Sequence, residues 1–411
     1  MQQEDVFLYP RSRLKETDLT LASGIQDWAE KEVVSKRLEH QEDYDLLLKP
    51  ALQKLMVDIG LQSVLWPEKM GGAGDNQTGS AYTVAAALEQ VGRADTGIGF
   101  LASHVLALQA SVAMEGRLNE KLCKDLAPVF GEGKEPAVVS FVLTAYGEEE
   151  GVPEWRGKCL QVRASLTGDE WELNGTGVRP TCSGSDADLY AVLCAVEDED
   201  EPALILVKGE AEGLTRGAAF KKTGLAASLN ADIGFDNVKV APEMYAWAGS
   251  DSVRHLLSWF YLGLGATAVG SLLAAYEIIK EWGDNRVIKG TGHVFKENPL
   301  TASLMADAAH DTAVGRLLIY NLAEILSDPE AYGGAGSEGV FATASLIVHR
   351  IYRLAEDTLN HIMELMASAG YAKEWQLERY WRDIKTIQCH IGACELAKMD
   401  SARWFFKCET L

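Results

Sequence analysis

The chain has 411 residues, of which 47% are hydrophobic and 24% are charged, and its formal net charge at pH 7 is -22. This length and apolar content predict a globular protein of two or three domains, each with its own core. Because the negative charge repels phosphate backbones and anionic lipid surfaces, neither nucleic acid nor a membrane is expected as a partner.

The first predicted unit is a helical domain, residues 1–134. Its N-terminus lacks a basic stretch followed by an apolar core, so we expect no secretory signal and a cytoplasmic protein. Helical patterns then alternate with short glycine breaks. The most marked break contains Trp66-Pro67 and Gly71-Gly72-Ala73-Gly74.

The second predicted unit, residues 135–243, is a β domain. Short runs with strand-type patterns are separated there by turn residues and acidic loops. Spacing of this kind predicts a small antiparallel barrel or sandwich. The runs are residues 137–144, 160–166, 170–173, 189–196, 203–207 and 233–240.

The third predicted unit, residues 244–411, is a four-helix bundle. Ile347, Ile351 and Leu354 illustrate apolar residues that recur at helical spacing through an uninterrupted segment. Residues 256–276 carry no charge over roughly the length that spans a bilayer. Because this stretch is rich in glycine and alanine, we interpret it as a buried central helix that other helices approach closely. The seven cysteines lack zinc-type spacing, so no metal site is predicted.

Several local phrases, in this order, resemble the acyl-CoA dehydrogenase family over nearly the whole chain. The segment from Pro67 to Gly74 looks like the family's proline-glutamate loop that ends in glycines. Lys222-x-Gly224, followed by Phe235-Asp236-Asn237-Val238-Lys239-Val240, is similar to the family's last β hairpin. Trp381-Arg382-Asp383 resembles the phrase that leads to the C-terminal active-site loop. The resemblance implies the family fold, with a helical domain, a central β domain and a helix bundle.

The resemblance also implies an FAD-dependent enzyme that desaturates an acyl-CoA thioester. In the family, a carboxylate removes the α-proton while the β-hydride goes to flavin N5. Electrons then leave through an electron-transfer flavoprotein, and the usual assembly is a tetramer in which two subunits share each FAD. We therefore expect the chain to be such an enzyme or a subunit of one, in a homotetramer or in a heterotetramer with a paralogous subunit.

The family's usual catalytic glutamate is missing. Counting on from Arg382, its position falls at Ile391, which cannot accept a proton, and the alternative position at residues 258–260 holds no carboxylate. His390 can titrate near neutrality, and Asp95 matches a pocket-lining position where members that make cyclic dienoyl-CoA products use an aspartate. Both are candidate bases. The alternatives are a structural histidine and an aspartate that caps a helix.

The family's flavin contacts are partly retained. Thr144 matches the threonine after the first long strand, and Thr181 matches the threonine near flavin N5. The turn that approaches the diphosphate is Glu148-Glu149-Glu150 here, and its charge would repel a diphosphate. Arg179 stands where a tryptophan usually stacks on the flavin, and Arg286 matches the arginine that grips the FAD of the neighbouring subunit.

These substitutions leave several functional hypotheses open. An active dehydrogenase that acts on a cyclic or branched acyl-CoA would use Asp95 or His390 as its base. A partner subunit in a heteromer would keep Arg286 and complete the FAD site of a paralogue. A scaffold repurposed for non-redox acyl-CoA chemistry and a flavin monooxygenase on the same fold are further alternatives.

Overall fold

The computed structural model describes residues 10, 12–40, 43–145, 154–155, 157–389 and 393–407. A set of helices comes first in the chain, a set of strands follows, and a second set of helices ends it. This order confirms the predicted fold class. Helices are labelled α1 to α11 and strands β1 to β11 in chain order.

Among the N-terminal helices, α4 is buried along its whole length, and α3 packs against both α1 and α4. Asp95 caps the start of α4, because its carboxylate accepts a hydrogen bond from the Ile98 amide. Asn119 caps the start of α5, because its side-chain oxygen accepts a hydrogen bond from the Leu122 amide. Such caps satisfy amides that have no partner inside the helix. The helices are α1 Glu16–Trp28, α2 Asp45–Leu52, α3 Ala81–Ala94, α4 Thr96–Val112 and α5 Glu120–Phe130.

The β domain contains a main sheet, in the order β11-β8-β7-β5-β6-β10-β9 with β1 beside β7, and a small sheet, β2-β4-β3. β1 and β5 both pair with β7 in parallel, so the sheet is mixed. Parallel pairs need a crossover connection, which the strand periodicity of the sequence does not reveal. The strands are β1 Val139–Val142, β2 Thr144–Ala145, β3 Glu154–Trp155, β4 Lys158–Leu160, β5 Val162–Thr167, β6 Glu170–Val178, β7 Leu189–Val196, β8 Ala203–Lys208, β9 Leu214–Arg216, β10 Ile233–Val240 and β11 Tyr245–Ala248.

Strand β11 lies just after residue 243, the last residue of the predicted β domain. It pairs with β8 in the main sheet and is followed almost at once by the long helix that starts at Ser250. A four-residue strand joined so closely to a helix has too few residues to show a period of its own. The sequence pattern therefore does not indicate this strand.

The C-terminal helices pack around α6, which also contacts α3 and α4 of the N-terminal unit. By length and composition α6 could cross a membrane, but 83% of its most apolar window is buried inside the protein. The predicted buried central helix is thereby confirmed. The helices are α6 Ser250–Asn285, α7 Pro299–Ser327, α8 Pro329–Tyr332, α9 Glu338–Met366, α10 Leu377–Ile387 and α11 Ala393–Phe406.

Two glycines let α3 and α6 cross in backbone contact. A Cβ atom added to Gly270 would lie 2.0 Å from the Glu89 carbonyl oxygen, and one added to Gly92 would lie 2.1 Å from the Thr267 carbonyl oxygen. No larger side chain fits at either position unless the backbones separate. This crossing fixes the N-terminal helices on the bundle, and thus one wall of the cavity described next.

Candidate functional site

A cavity of about 540 Å³ lies where the β domain meets α4 and α10. Its wall combines apolar side chains with neutral hydrogen-bonding groups and cations, a mixture and size typical of small-molecule sites. Thr144 and Thr181, the two predicted flavin contacts of the β domain, both line it. The structure therefore brings together two residues that lie 37 positions apart in the sequence.

Thr181 is held by a buried histidine. Its amide donates to the Phe141 carbonyl at 2.8 Å, and its Oγ1 accepts from the Phe141 amide at 3.3 Å. Oγ1 also lies 2.7 Å from Nε2 of His104, whose Nδ1 lies 2.8 Å from the Phe100 carbonyl oxygen. Burial lowers the pKa of His104 to about 3, so its ring is neutral at pH 7.

Three phenyl rings surround the His104 imidazole. The ring centroids of Phe100 and Phe141 lie 4.8 Å from it and that of Phe260 lies 4.5 Å away. These contacts hold the imidazole ring in place and exclude water from it. Sequence reasoning missed His104, although a lone titratable side chain on an otherwise apolar helix was a usable signal.

Arg179 flanks the cavity as an ion pair with Asp232. Its Nε donates to Oδ1 at 2.8 Å and its Nη2 to Oδ2 at 3.2 Å, and its guanidinium lies 4.7 Å from the centroid of the Phe220 ring. The hydrogen bond from Arg179 lowers the pKa of Asp232. The side chains are 66% and 44% exposed, so this pair stands at the mouth of the cavity. A planar guanidinium there can flank a ring, as a tryptophan would.

Lys222 adds a further cation to the cavity wall, which also includes Lys158. It donates to the Ser228 carbonyl, and burial lowers the pKa of its ammonium group. Asn230, on the same loop between β9 and β10, donates to the Thr181 carbonyl at 3.0 Å. With Arg179, this loop gives a strongly acidic protein a locally cationic cavity, which favours a ligand that carries negative charge.

Two phrases singled out in the sequence meet beside the cavity. Arg382 donates to the Thr223 carbonyl at 2.8 Å, and the Asp383 carboxylate accepts from the Leu225 amide. A Cβ atom at Gly224 would lie 2.3 Å from the Arg382 carbonyl oxygen, so only glycine allows this approach. The arginine-aspartate phrase of α10 therefore positions the loop that carries Lys222.

Asp95 lies in a closed cluster outside the cavity wall. Besides capping α4, its carboxylate accepts from the Tyr44 hydroxyl at 2.9 Å and from Arg379. Burial raises the pKa of Asp95, but the charges of Arg379 and Arg37 and the hydrogen bonds outweigh it and hold the pKa below its usual value. These contacts support the helix-capping interpretation. The role of Asp95 as a base stays a prediction.

Arg286 is not brought to this cavity. It follows the last residue of α6, it is exposed, and its guanidinium has no partner within the described residues. The remaining predicted site residues fall outside the described part of the chain; they are His390, Ile391, Glu148, Glu149 and Glu150.

Two family models match the chain on either side of the β domain. One, the acyl-CoA dehydrogenase N-terminal domain, matches residues 15–121, and the other, the acyl-CoA dehydrogenase C-terminal domain, matches residues 262–395. The chain belongs to the acyl-CoA dehydrogenase family. The two matches include the α4 and α10 walls of the cavity.

Relatives among characterised acyl-CoA dehydrogenases match almost end to end. Cyclohexane-1-carbonyl-CoA dehydrogenase of Syntrophus aciditrophicus is 23% identical over 363 residues, which are 87% of this chain and 88% of that protein. Cyclohex-1-ene-1-carbonyl-CoA dehydrogenase of Geobacter metallireducens is 27% identical over 402 residues, 95% of this chain and 97% of that protein.

Solved structures of acyl-CoA dehydrogenases share the fold. Butyryl-CoA dehydrogenase of Megasphaera elsdenii superimposes with a TM-score of 0.77 at 21% identity, covering 96% of this chain and 99% of that one. Glutaryl-CoA dehydrogenase of Mycobacterium smegmatis in complex with FADH2 gives 0.75 at 19% identity, covering 98% and 97%. The fold of this acyl-CoA dehydrogenase family member is therefore the family fold throughout.

The family implies FAD, and the cavity residues fit its ring system. Phe100 and Leu225 supply apolar surface, Thr181 supplies a hydrogen-bonding oxygen, and Arg179 and Lys222 supply positive charge. A flat heteroaromatic ring that can carry negative charge matches this set of groups.

Proposed function

We propose that this chain is a flavin-binding acyl-CoA dehydrogenase subunit that desaturates an acyl-CoA between its α and β carbons. The observation that carries the proposal is the cavity that Thr144 and Thr181 line together with the cations Arg179 and Lys222. Bound FAD would supply the hydride acceptor. The chain's own residues would hold its ring: Thr181 by a hydrogen bond, the two cations by charge, and Phe100 by excluding water.

A cyclic or branched acyl group is the proposed substrate. Supporting this, two of the relatives reported above are named for cyclohexane and cyclohexene carbonyl-CoA substrates. The base would be Asp95 or His390. A carboxylate with a lowered pKa is a weak base, so Asp95 would have to exchange its bond with Arg379 for one with substrate.

The proposed partners follow from the same function. Electrons would pass to an electron-transfer flavoprotein, and the chain would work in a tetramer in the cytoplasm. A chain in a solved structure titled for the electron transferring flavoprotein of Acidaminococcus fermentans has the same fold, with a TM-score of 0.76 at 20% identity.

A second candidate function is a non-catalytic partner subunit of a heteromeric dehydrogenase. The observation that favours it is Arg286, which is exposed and does not line the cavity described above. A guanidinium so placed could reach the FAD of a neighbouring paralogue. Asp232 is the carboxylate among the described cavity residues, and it is already paired with Arg179, which also fits a subunit without its own base.

The test is to express the chain alone and record its visible spectrum before and after adding a panel of linear, branched and cyclic acyl-CoA thioesters. Bound flavin that bleaches with one thioester supports the active enzyme. A colourless protein overturns it, and flavin that appears only when a paralogue is co-expressed supports the partner subunit.

A further inference from the structure

The direction of the hydrogen bond between His104 and Thr181 follows from the surroundings of the imidazole. The Phe100 carbonyl oxygen only accepts hydrogen bonds, so Nδ1 of His104, 2.8 Å away, must carry a hydrogen. The ring is neutral, because burial lowers the pKa of His104 to about 3. A neutral imidazole with Nδ1–H has a bare lone pair on Nε2.

The lone pair on Nε2 of His104 determines where the hydroxyl proton of Thr181 points. Oγ1 lies 2.7 Å from Nε2, a distance at which two lone pairs would repel, so the hydroxyl donates to His104. One lone pair of Oγ1 accepts from the Phe141 amide. The remaining lone pair is all that Thr181 can offer a ligand, and Thr181 therefore acts toward the cavity only as an acceptor.

We propose that His104 is a positioning residue that makes Thr181 an obligate hydrogen-bond acceptor, so that the cavity binds reduced isoalloxazine more tightly than oxidised isoalloxazine. This inference rests on the proposed function, namely that the cavity holds a flavin. Reduction adds a hydrogen to ring nitrogen N5, which converts an acceptor into a donor. The nearby cations Arg179 and Lys222 favour the same state, because the reduced ring can lose a proton and become an anion.

Hydrogen-bond direction can be measured without any ligand. The chain, which has 8 histidines, is labelled with ¹⁵N-histidine, and the signal that disappears in His104→Phe identifies His104. We expect a neutral ring at pH 7 and at pH 5 with hydrogen on Nδ1 and none on Nε2. Hydrogen on Nε2, or a ring that becomes charged between these two pH values, overturns the inference.

The second measurement is the ratio of the dissociation constants of the apoprotein for oxidised and for dithionite-reduced FAD under anaerobic conditions. We expect His104→Phe to lower the preference for the reduced form by about tenfold, which is about 30 mV in the two-electron potential. Thr181→Ser should keep the preference and Thr181→Val should lose it.

His255→Phe is the matched control, because His255 is also a neutral histidine with a pKa lowered by burial to about 3, but it contacts the Ala110 carbonyl away from the cavity. It should leave the ratio unchanged. Binding without a preference for reduced FAD in the unmodified chain overturns this inference alone. Failure to bind either form overturns the proposed function together with it.

Discussion

At the scale of single residues, two buried carboxylates, Asp95 and Asp383, both feel the charge of Arg379 but differ in acidity. Asp95 is held charged by Arg379 and Arg37, whereas burial raises the pKa of Asp383 to about 6, with Asp95 adding to the effect and Arg379 opposing it. Because burial disfavours the charged form, Asp383 is the weaker acid of the two. It nevertheless accepts from the Leu225 amide and so supports the cavity loop.

Asp383→Asn should therefore remove a pH dependence of stability. A carboxyl group whose pKa is raised on folding stabilises the folded state below its unfolded pKa near 4 and loses that contribution as pH rises through about 6. The free energy of unfolding of the unmodified chain, relative to Asp383→Asn, should fall as pH rises from 4 to 6 in urea titrations.

The exposed Asp357 on α9 provides the matched control for that series. Asp357→Asn should track the unmodified chain at every pH. An unmodified chain that instead gains stability over this window, relative to Asp383→Asn, would contradict the raised pKa of Asp383.

At the scale of elements, the backbone contact between α3 and α6 holds the N-terminal helices on the bundle. The contact depends on Gly92 and Gly270, since a single added methyl group at either position would overlap a carbonyl oxygen. Because α3 leads directly into α4, which carries Phe100 and His104, a shift at this crossing would be transmitted to the cavity.

Gly270→Ala should destabilise the fold by about 3 kcal/mol, because the helices must separate to admit the methyl group. Gly24→Ala is the matched control: Gly24 lies within α1, is exposed and has open space around its Cβ position. That variant should be more stable by about 0.5–1 kcal/mol, because alanine loses less backbone entropy than glycine. Equal effects of the two substitutions in thermal unfolding would refute the close-contact explanation.

At the scale of the whole molecule, the chain presents groups that its own cavity does not use. Arg286 lies at the end of the longest described helix, on an exposed segment, while Val287 beside it is 53% exposed. A cation that has no partner among the described residues and lies next to exposed apolar surface is suited to a contact with another subunit.

Arg286→Ala should change the stability of the isolated chain by no more than about 0.5 kcal/mol, since its side chain has no partner among the described residues. If the proposed assembly is correct, the same variant should lower the flavin content of the purified tetramer. Lys280→Ala, on the exposed face of the same helix, should leave the flavin content unchanged. Flavin content equal in both variants would argue against a neighbour-facing role for Arg286.

Local pattern was sufficient for the order of the three units, for the six predicted strand runs and for the buried central helix. Thr144 and Thr181 were identifiable because the phrases around them resemble the family, not because of any periodicity. The pattern was insufficient for the short strands β3, β9 and β11. It was also insufficient for the parallel pairing of β1 and β5 with β7, since pairing partners are chosen across the whole sheet.

The sequence by itself determined the fold class, because hydrophobic periodicity and turn residues act locally and each unit has enough apolar residues to form a core. Only the tertiary structure decided what individual side chains do. It assigned Asp95 to a helix cap and an ion pair, joined Arg179 to Asp232, and placed His104 against Thr181. The physical reason is that burial and hydrogen-bond partners, which set the charge and the donor or acceptor role of a group, come from residues distant in the chain.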